Sequence, residues 1–163
     1  MGQRLYDTDF YAWTQQQAEA IREAIFSDNR LDRDNLAEEI ESLGVSQRSA
    51  CESHVENIIE HLLKIEFVPS IRDVRGWRKE VRAFRKNLEK VLSPSLRAEL
   101  RQMDVLSRLH TSARRDLIRD YQEDRLEIII PESITYDWDQ ITQREPDWFP
   151  EPRYAARQAL QDG

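Results

Sequence analysis

Leu36-Ala37-Glu38-Glu39-Ile40-Glu41-Ser42-Leu43-Gly44, carried on through Ala50-Cys51 and Val55 to Ile58-Ile59-Glu60-His61-Leu62-Leu63-Lys64-Ile65, is the stretch that decides the fold. Leu36, Ile40, Leu43, Ala50, Ile58, Leu62 and Ile65 recur at helical spacing and keep one stripe, with Cys51, Val55, Ile59 and Leu63 beside it. Gly44 reads as a C-cap or as a tolerated break. Because the apolar phase survives it, the spacing predicts a continuous or gently kinked helix from about Asp32 to Phe67, stopped by Pro69.

The same period extends outward in both directions. Upstream, Thr8 is the expected N-cap with Asp9 in the first turn, and Phe10, Trp13, Ala20, Ile21, Ala24 and Ile25 share a face up to the polar turn at 27–30. Downstream, Val74, Trp77, Val81, Phe84, Leu88 and Val91 mark an amphipathic helix from Arg72 to Leu92. Ser93-Pro94 has the order of an N-cap followed by proline at the first helical position, opening a helix expected to run to Tyr121 and to bury Leu96, Leu100, Met103, Leu106, Ala113 and Leu117. The tail differs. Ile128-Ile129-Ile130 reads as a short extended piece, Asp137–Thr142 as a short helix, and Trp148-Phe149-Pro150 as a strap that meets the aromatics of the first helix (Tyr6, Phe10, Tyr11, Trp13). The expectation is therefore all-α: a bundle of four main helices over 1–130 and a C-terminal extended arm with a short helix over 131–163, together one domain.

Composition bounds the rest. A chain of 163 residues buries roughly 70% of the surface it exposes when unfolded. Its 34% charged residues and net charge of -7 are borderline for disorder, but four Trp, five Tyr and five Phe at helical spacing require a core to fill. No run reaches the roughly 20 apolar residues of a membrane span, and the N-terminus carries no apolar signal stretch. Cys51 is the sole cysteine, which excludes an intrachain disulfide and makes a reducing, cytoplasmic location the expectation.

Tyr6-Asp7-Thr8-Asp9-Phe10-Tyr11-Ala12-Trp13, Asn35-Leu36-Ala37-Glu38-Glu39-Ile40-Glu41-Ser42-Leu43-Gly44 and His61-Leu62-Leu63-Lys64 resemble, in that order, the signature stretches of domain of unknown function family 29. Ser93-Pro94-Ser95-Leu96 and Trp148-Phe149-Pro150 are similar as well, so the resemblance spans most of the chain. It implies an all-helical fold and a bacterial intracellular protein, and it brings no activity, cofactor or catalytic residue with it. The chain departs from the family at Ile65-Glu66-Phe67-Val68-Pro69, where an aromatic-Gln-Pro stretch is typical.

Two clusters could carry function. On a continuous second helix, His54 points the same way as Leu36, five turns earlier; His61 and Asn57 follow at neighbour spacing and Glu39 borders the stripe. Glu39, His54, Asn57 and His61 are the catalytic candidates, with His110 or Arg78 as additions from other helices. Seven residues separate His54 from His61, about 10 Å of rise, so one metal ion with bonds of about 2 Å cannot readily bridge them, and no metal or other cofactor is expected. Hydrogen bonding in the core is the plainer role.

The second cluster is basic. Eight Lys/Arg against three Asp/Glu between Arg72 and Lys90 give +5, whereas six against fourteen over 1–66 give -8. Arg75, Arg78, Arg82 and Arg85 repeat at three- and four-residue spacing on the side opposite the apolar face, as a binding row for phosphate or an acidic partner, or as partners for Glu38, Glu41, Glu56 and Glu60 of the second helix. Aromatics suited to stacking bases are not interleaved with them, and the acidic molecule as a whole repels phosphate, so nucleic acid is the weaker option. Glycine-rich phosphate loops, nucleophile elbows and His-Glu-x-x-His are absent from the sequence. The leading expectation is a noncatalytic interaction module that binds a protein partner or itself. The alternatives are a helical enzyme or metal-binding protein built on the histidine cluster, and nucleic-acid binding through the basic helix.

Overall fold

The computed structural model describes residues 4–24 and 30–153. Seven helices follow one another among them: α1 (Leu5–Thr8), α2 (Phe10–Glu23), α3 (Arg33–Phe67), α4 (Ile71–Val91), α5 (Pro94–Leu100), α6 (Met103–Glu123) and α7 (Trp138–Thr142). No strand occurs among the described residues, and no helix is long and apolar enough to cross a membrane.

α3 runs unbroken through Gly44 for 35 residues, its first turn capped by the Asp32 carboxylate, which accepts from the Asn35 N–H. Gly44 neither interrupts nor caps the helix. With Ala37 and Cys51 it forms a small-residue row, one every seven positions, and all three are buried. α2 lies along this row with Thr14 and Ala18 buried against it. A Cβ on Gly44 would fall on Thr14 Oγ1, well inside van der Waals distance. That hydroxyl is itself fixed, donating to the Tyr11 carbonyl at 2.7 Å. Glycine stands here for close approach of two backbones.

The C-terminal half of α3 is enclosed between α4 and α6. Val55, Ile58, Ile59, Leu62, Leu63 and Ile65 have no exposed surface, each contributing about 1.5–3 kcal/mol by burial. Leu96, Leu100, Leu106, Leu109, Ala113 and Leu117 close that core from α5 and α6.

The N-terminal half is another matter, and here the expected stripe needs correction. Leu36 is 45% and Leu43 52% exposed, and Ala50 is exposed too. The reason is the length of α4: its last carbonyl, Val91 O, accepts from Gln47 Nε2 at 2.7 Å and lies 3.6 Å from Cys51 Sγ, so α4 ends at that level of α3. Beyond it α2 is the element that covers α3 among the described residues, and it takes the Ala37–Gly44 side.

Three boundaries also differ from expectation. Asp9, not Thr8, caps α2: its Oδ1 accepts from the Ala12 N–H at 3.0 Å, while the Thr8 hydroxyl turns back to the Arg4 and Leu5 carbonyls. Burial pulls the Asp9 pKa up, but its bonds from Ala12, Ser95 and Ser93 outweigh that and hold it below the usual carboxylate value. Ser95 donates to it from both N–H and hydroxyl at 2.7 Å, tying α5 to α2. The expected fourth helix is two, α5 and α6, parted by a turn at Arg101-Gln102 that leaves Met103 61% exposed. The expected end of the first helix near Asn29 lies outside the described residues, α2 stopping at Glu23.

The tail packs as an arm. Ile128 and Ile130 are buried with Ile129 exposed between them, and Arg114 Nε donates to the Ile130 carbonyl at 2.9 Å. Asp137 and Gln140 close a reciprocal capping box that starts α7 where the sequence places it. The terminal aromatics do not meet. Tyr6, Phe10 and Trp13 cluster among themselves on α1 and α2, with ring centroids 4.8–5.6 Å apart. Tyr136 and Trp148 pair at 5.8 Å, where Tyr136 reaches Glu66 near the C-terminus of α3.

Gly44→Ala separates two effects. Helix propensity favours alanine by about 1 kcal/mol, while overpacking a fixed seam costs about 1–3 kcal/mol. The expected outcome in urea unfolding is a net loss of stability, recovered by about 1 kcal/mol or more beyond additivity when Thr14→Ala is combined with it. An additive pair would mean that the seam opens freely.

Candidate functional site

The basic row of α4 is occupied by the arm rather than by α3. Arg85, expected at the surface, is buried to 1% exposure. Its Nε donates to the Ile141 carbonyl at 2.8 Å, and its Nη2 to the carbonyls of Gln140 at 2.8 Å and Trp148 at 2.9 Å. These are groups that the end of α7 and the strap after it leave unpaired. Asp147 lies 3.8 Å from Arg85 Nη1 and 2.5 Å from Arg82 Nε. Phe149 sits under all three neighbouring guanidinium groups, Arg78, Arg82 and Arg85, whose central carbons are 5.2–5.3 Å from its ring centre. Burial lowers the Arg85 pKa to about 10, with Asp147 opposing and Arg82 adding to that effect, so the group still carries its charge at neutral pH. Arg75 is exposed, as are Arg72, Lys79, Arg82, Lys86 and Lys90. Of the acids expected to pair with this row, Glu41 binds Arg22 at 2.5 Å and Glu60 binds Lys64 at 2.5 Å. The missed partner is Asp147.

The histidine candidates do not converge. Glu39 is exposed on the uncovered half of α3, 15 residues and about 22 Å from His54. His61 is buried; its Nδ1 donates to the Asn57 carbonyl at 2.8 Å and its Nε2 lies 2.7 Å from Glu80 Oε2. Asn57 contributes that backbone oxygen. His54 is half-buried with Nδ1 unpartnered, and both histidines face the Phe84 ring, at 6.4 and 5.4 Å. His110 is fully buried on α6, and neither ring nitrogen has a hydrogen-bond partner. No group of three His, Cys, Asp or Glu side chains among the described residues is placed to hold a metal ion. Cys51 is buried, and burial with the nearby Glu52 charge raises its thiol to about 11, out of reach of thiolate chemistry at neutral pH.

One cleft that the structure forms was not anticipated. An open cleft of about 360 Å³ at the far end of α3 is lined by Glu66, Tyr136, Gln140, Trp148, Glu151 and Arg153, among others. Glu66 is only 7% exposed. Tyr136 donates to its Oε2 at 2.5 Å, and Arg153 Nε donates to its Oε1 at 2.6 Å. Burial first, and then the bond to Glu66, push the Tyr136 phenol far above its ordinary value, so it stays a donor. The signal was present in the sequence: Glu66 falls in the phase of Ile59, Leu62 and Leu63, a charge where the period demands a core residue.

Two outcomes follow. Arg85→Ala strands three buried carbonyls and leaves a void, which costs about 3 kcal/mol or more in chemical denaturation; Arg85→Lys, unable to reach all three acceptors at once, recovers little of it. A wild-type-like Arg85→Ala protein would show that the arm is held elsewhere. For His110, burial and then the Arg114 charge lower the pKa from 6.5, so the folded state keeps the ring neutral. Its contribution is therefore complete above pH 6.5 and is lost as pH falls below that value toward the lower folded pKa, with a slope of up to about 1.4 kcal/mol per unit. Between pH 7.5 and 5, urea unfolding of His110→Leu should fall less steeply than that of the wild type; parallel curves would exclude His110 as the source.

The geometry has counterparts elsewhere. The family described as Domain of unknown function DUF29 matches residues 5–149. The crystal structure of an α-helical protein of unknown function from Rhodospirillum rubrum is similar with a TM-score of 0.72 at 22% identity, over 88% of this chain and 92% of that one. At that identity it speaks for the fold alone. No curated protein sequence matches. A match across α1 to the strap residue Phe149 covers every element described above, and the chain belongs to the DUF29 family.

Proposed function

We propose that this protein is a noncatalytic binding module, bacterial and cytoplasmic, whose α2–α3 hairpin docks a basic amphipathic helix of a partner protein. The observation that carries the reading is the row Leu36, Ile40 and Leu43, spaced i, i+4 and i+7, half-buried or exposed where α4 no longer reaches. That row continues the stripe which, further along α3, meets α4 and disappears into the core. Its spacing is the one that a partner helix uses to anchor in a groove.

Charge selects the partner. Asp32, Asp34, Glu38 and Glu39 are exposed around the row, which lies in the segment with fourteen acids against six bases. A second copy in the same contact would bring these acids together. The chain's own α4 offers basic residues on its open face, but its apolar residues are turned inward, so it supplies charge without anchors. A helix with apolar anchors and a basic flank supplies both.

The test uses an 18-residue helical peptide of leucine and lysine against the wild type and a Leu36→Asp/Leu43→Asp variant. The variant gains two negative charges, so a purely electrostatic contact would tighten. Docking on the apolar row predicts the opposite, at least tenfold weaker binding by anisotropy, with unchanged helical content by circular dichroism. Equal or tighter binding by the variant sinks the proposal. A dimer seen by light scattering and lost in the variant would replace it with self-association.

A further inference from the structure

We infer that the Glu66 carboxylate at the edge of the cleft, oriented by Tyr136, is a binding site for an alkylguanidinium group, which the chain's own Arg153 occupies. The site is independent of the hairpin row: Glu66 and Leu43 are 23 positions apart on α3, about 34 Å.

The first support is an asymmetry between the two ends of the ion pair. The Glu66 side chain is 9% exposed and that of Arg153 61%. A buried carboxylate requires a partner, whereas an exposed arginine requires none. Arg153 can therefore leave at little cost to itself, and its departure leaves at the cleft wall a carboxylate with one oxygen unpaired. The second oxygen stays fixed by Tyr136, so the carboxylate is held in one orientation whether or not Arg153 is present.

The second support is that the place beside Glu66, at the edge of the cleft, holds a planar cation against the Phe67 ring. The Arg153 guanidinium carbon lies 4.9 Å from the centre of the Phe67 ring while its Nε reaches Glu66 at 2.6 Å. A carboxylate on one edge and an aromatic face alongside are the two features by which a guanidinium is distinguished from a compact ammonium. Glu151, exposed on the cleft wall, adds a second negative charge, and the chain's net charge of -7 favours approach of any cation. The adjoining cleft of about 360 Å³, which has Arg153 in its wall, leaves room for the rest of a side-chain-sized ligand. In the bland alternative, Arg153 only fastens the end of the arm and the cleft takes no ligand.

Calorimetric or NMR titration separates these. The probes are agmatine, a free alkylguanidine; acetyl-Gly-Arg-Gly-amide, a peptide-borne one; and putrescine, an ammonium control. Removing the internal occupant by Arg153→Ala should raise affinity for agmatine or the peptide at least tenfold over wild type. Whichever of the two binds more tightly identifies a free or a protein-borne source. Putrescine should bind at least tenfold more weakly, and Glu66→Gln on the same background should abolish the gain. An Arg153→Ala protein that melts normally yet binds neither guanidine better than wild type overturns the inference, as does binding that survives Glu66→Gln. If Arg153→Ala does not fold, Arg153→Gln, which keeps the stem and loses the charge, is read by the same criteria. The Leu36→Asp/Leu43→Asp change should leave agmatine binding untouched, so the two sites fail or stand separately.

Discussion

A helix of 35 residues is about 50 Å long, and α3 has no neighbour of that length. α4 and α6, at 21 residues each, reach about 31 Å, and α2, with 14, about 21 Å. Coverage of α3 must therefore be pieced together, and the manner of piecing sets everything else. Where α4 and α6 enclose it, α3 carries large apolar residues on a broad arc from Ile65 round to Leu63. Past the end of α4, where α2 is the cover among the described residues, the contact narrows to Ala37 and Gly44, and the helices meet through small side chains. The exposure of Leu36 and Leu43 results from this change of partner.

Two buried charges then fasten the arm. Arg85 gathers three carbonyls from the end of α7 and the strap beyond it, and Glu66 takes Tyr136 and Arg153 from the same segment. Apolar packing of Ile128, Ile130, Trp138 and Ile141 supplies adhesion without register. The polar contacts supply register, Arg85 through three carbonyls and Glu66 through Tyr136. Their chemistry differs in a way that matters. Arg85 is held by backbone oxygens that cannot be exchanged for anything in solution, whereas one oxygen of Glu66 is satisfied by a side chain that stands mostly in water. The first is a fixed joint and the second is a replaceable one.

Periodicity made the helices legible: the unbroken α3, the bounds of α4, the Ser93-Pro94 start and the Asp137 capping box follow from local rules that the full structure obeys. What it could not supply is the identity of the covering element. Leu36 and Leu62 look alike in phase, and only the reach of α4 separates them. Arg85 was misplaced for the converse reason. The basic side of α4 lies away from the core of the bundle, but the arm from 60 positions later lies over it and converts outside to inside. Helical phase marks Glu66 as a charge in a core position, but its partner Arg153, and Asp147 as the partner of Arg82 and Arg85, lie 62 to 87 residues away, a separation on which helical spacing carries no information. Met103 fell to a turn that lets α5 tie back to Asp9 while α6 returns along α3.

The three histidines stand in separate surroundings. His54, His61 and His110 are placed by helices that meet in the core, yet each ends in its own surroundings: one against Phe84 with Nδ1 unpartnered, one between Asn57 and Glu80, one sealed in apolar packing. Acid–base catalysis and metal binding both require groups within about 3 Å of a shared atom, and a row along one helix spreads its members by 1.5 Å per residue instead. Recognition has no such requirement. An apolar row and a single oriented carboxylate suffice, and these are what the ends of α3 present.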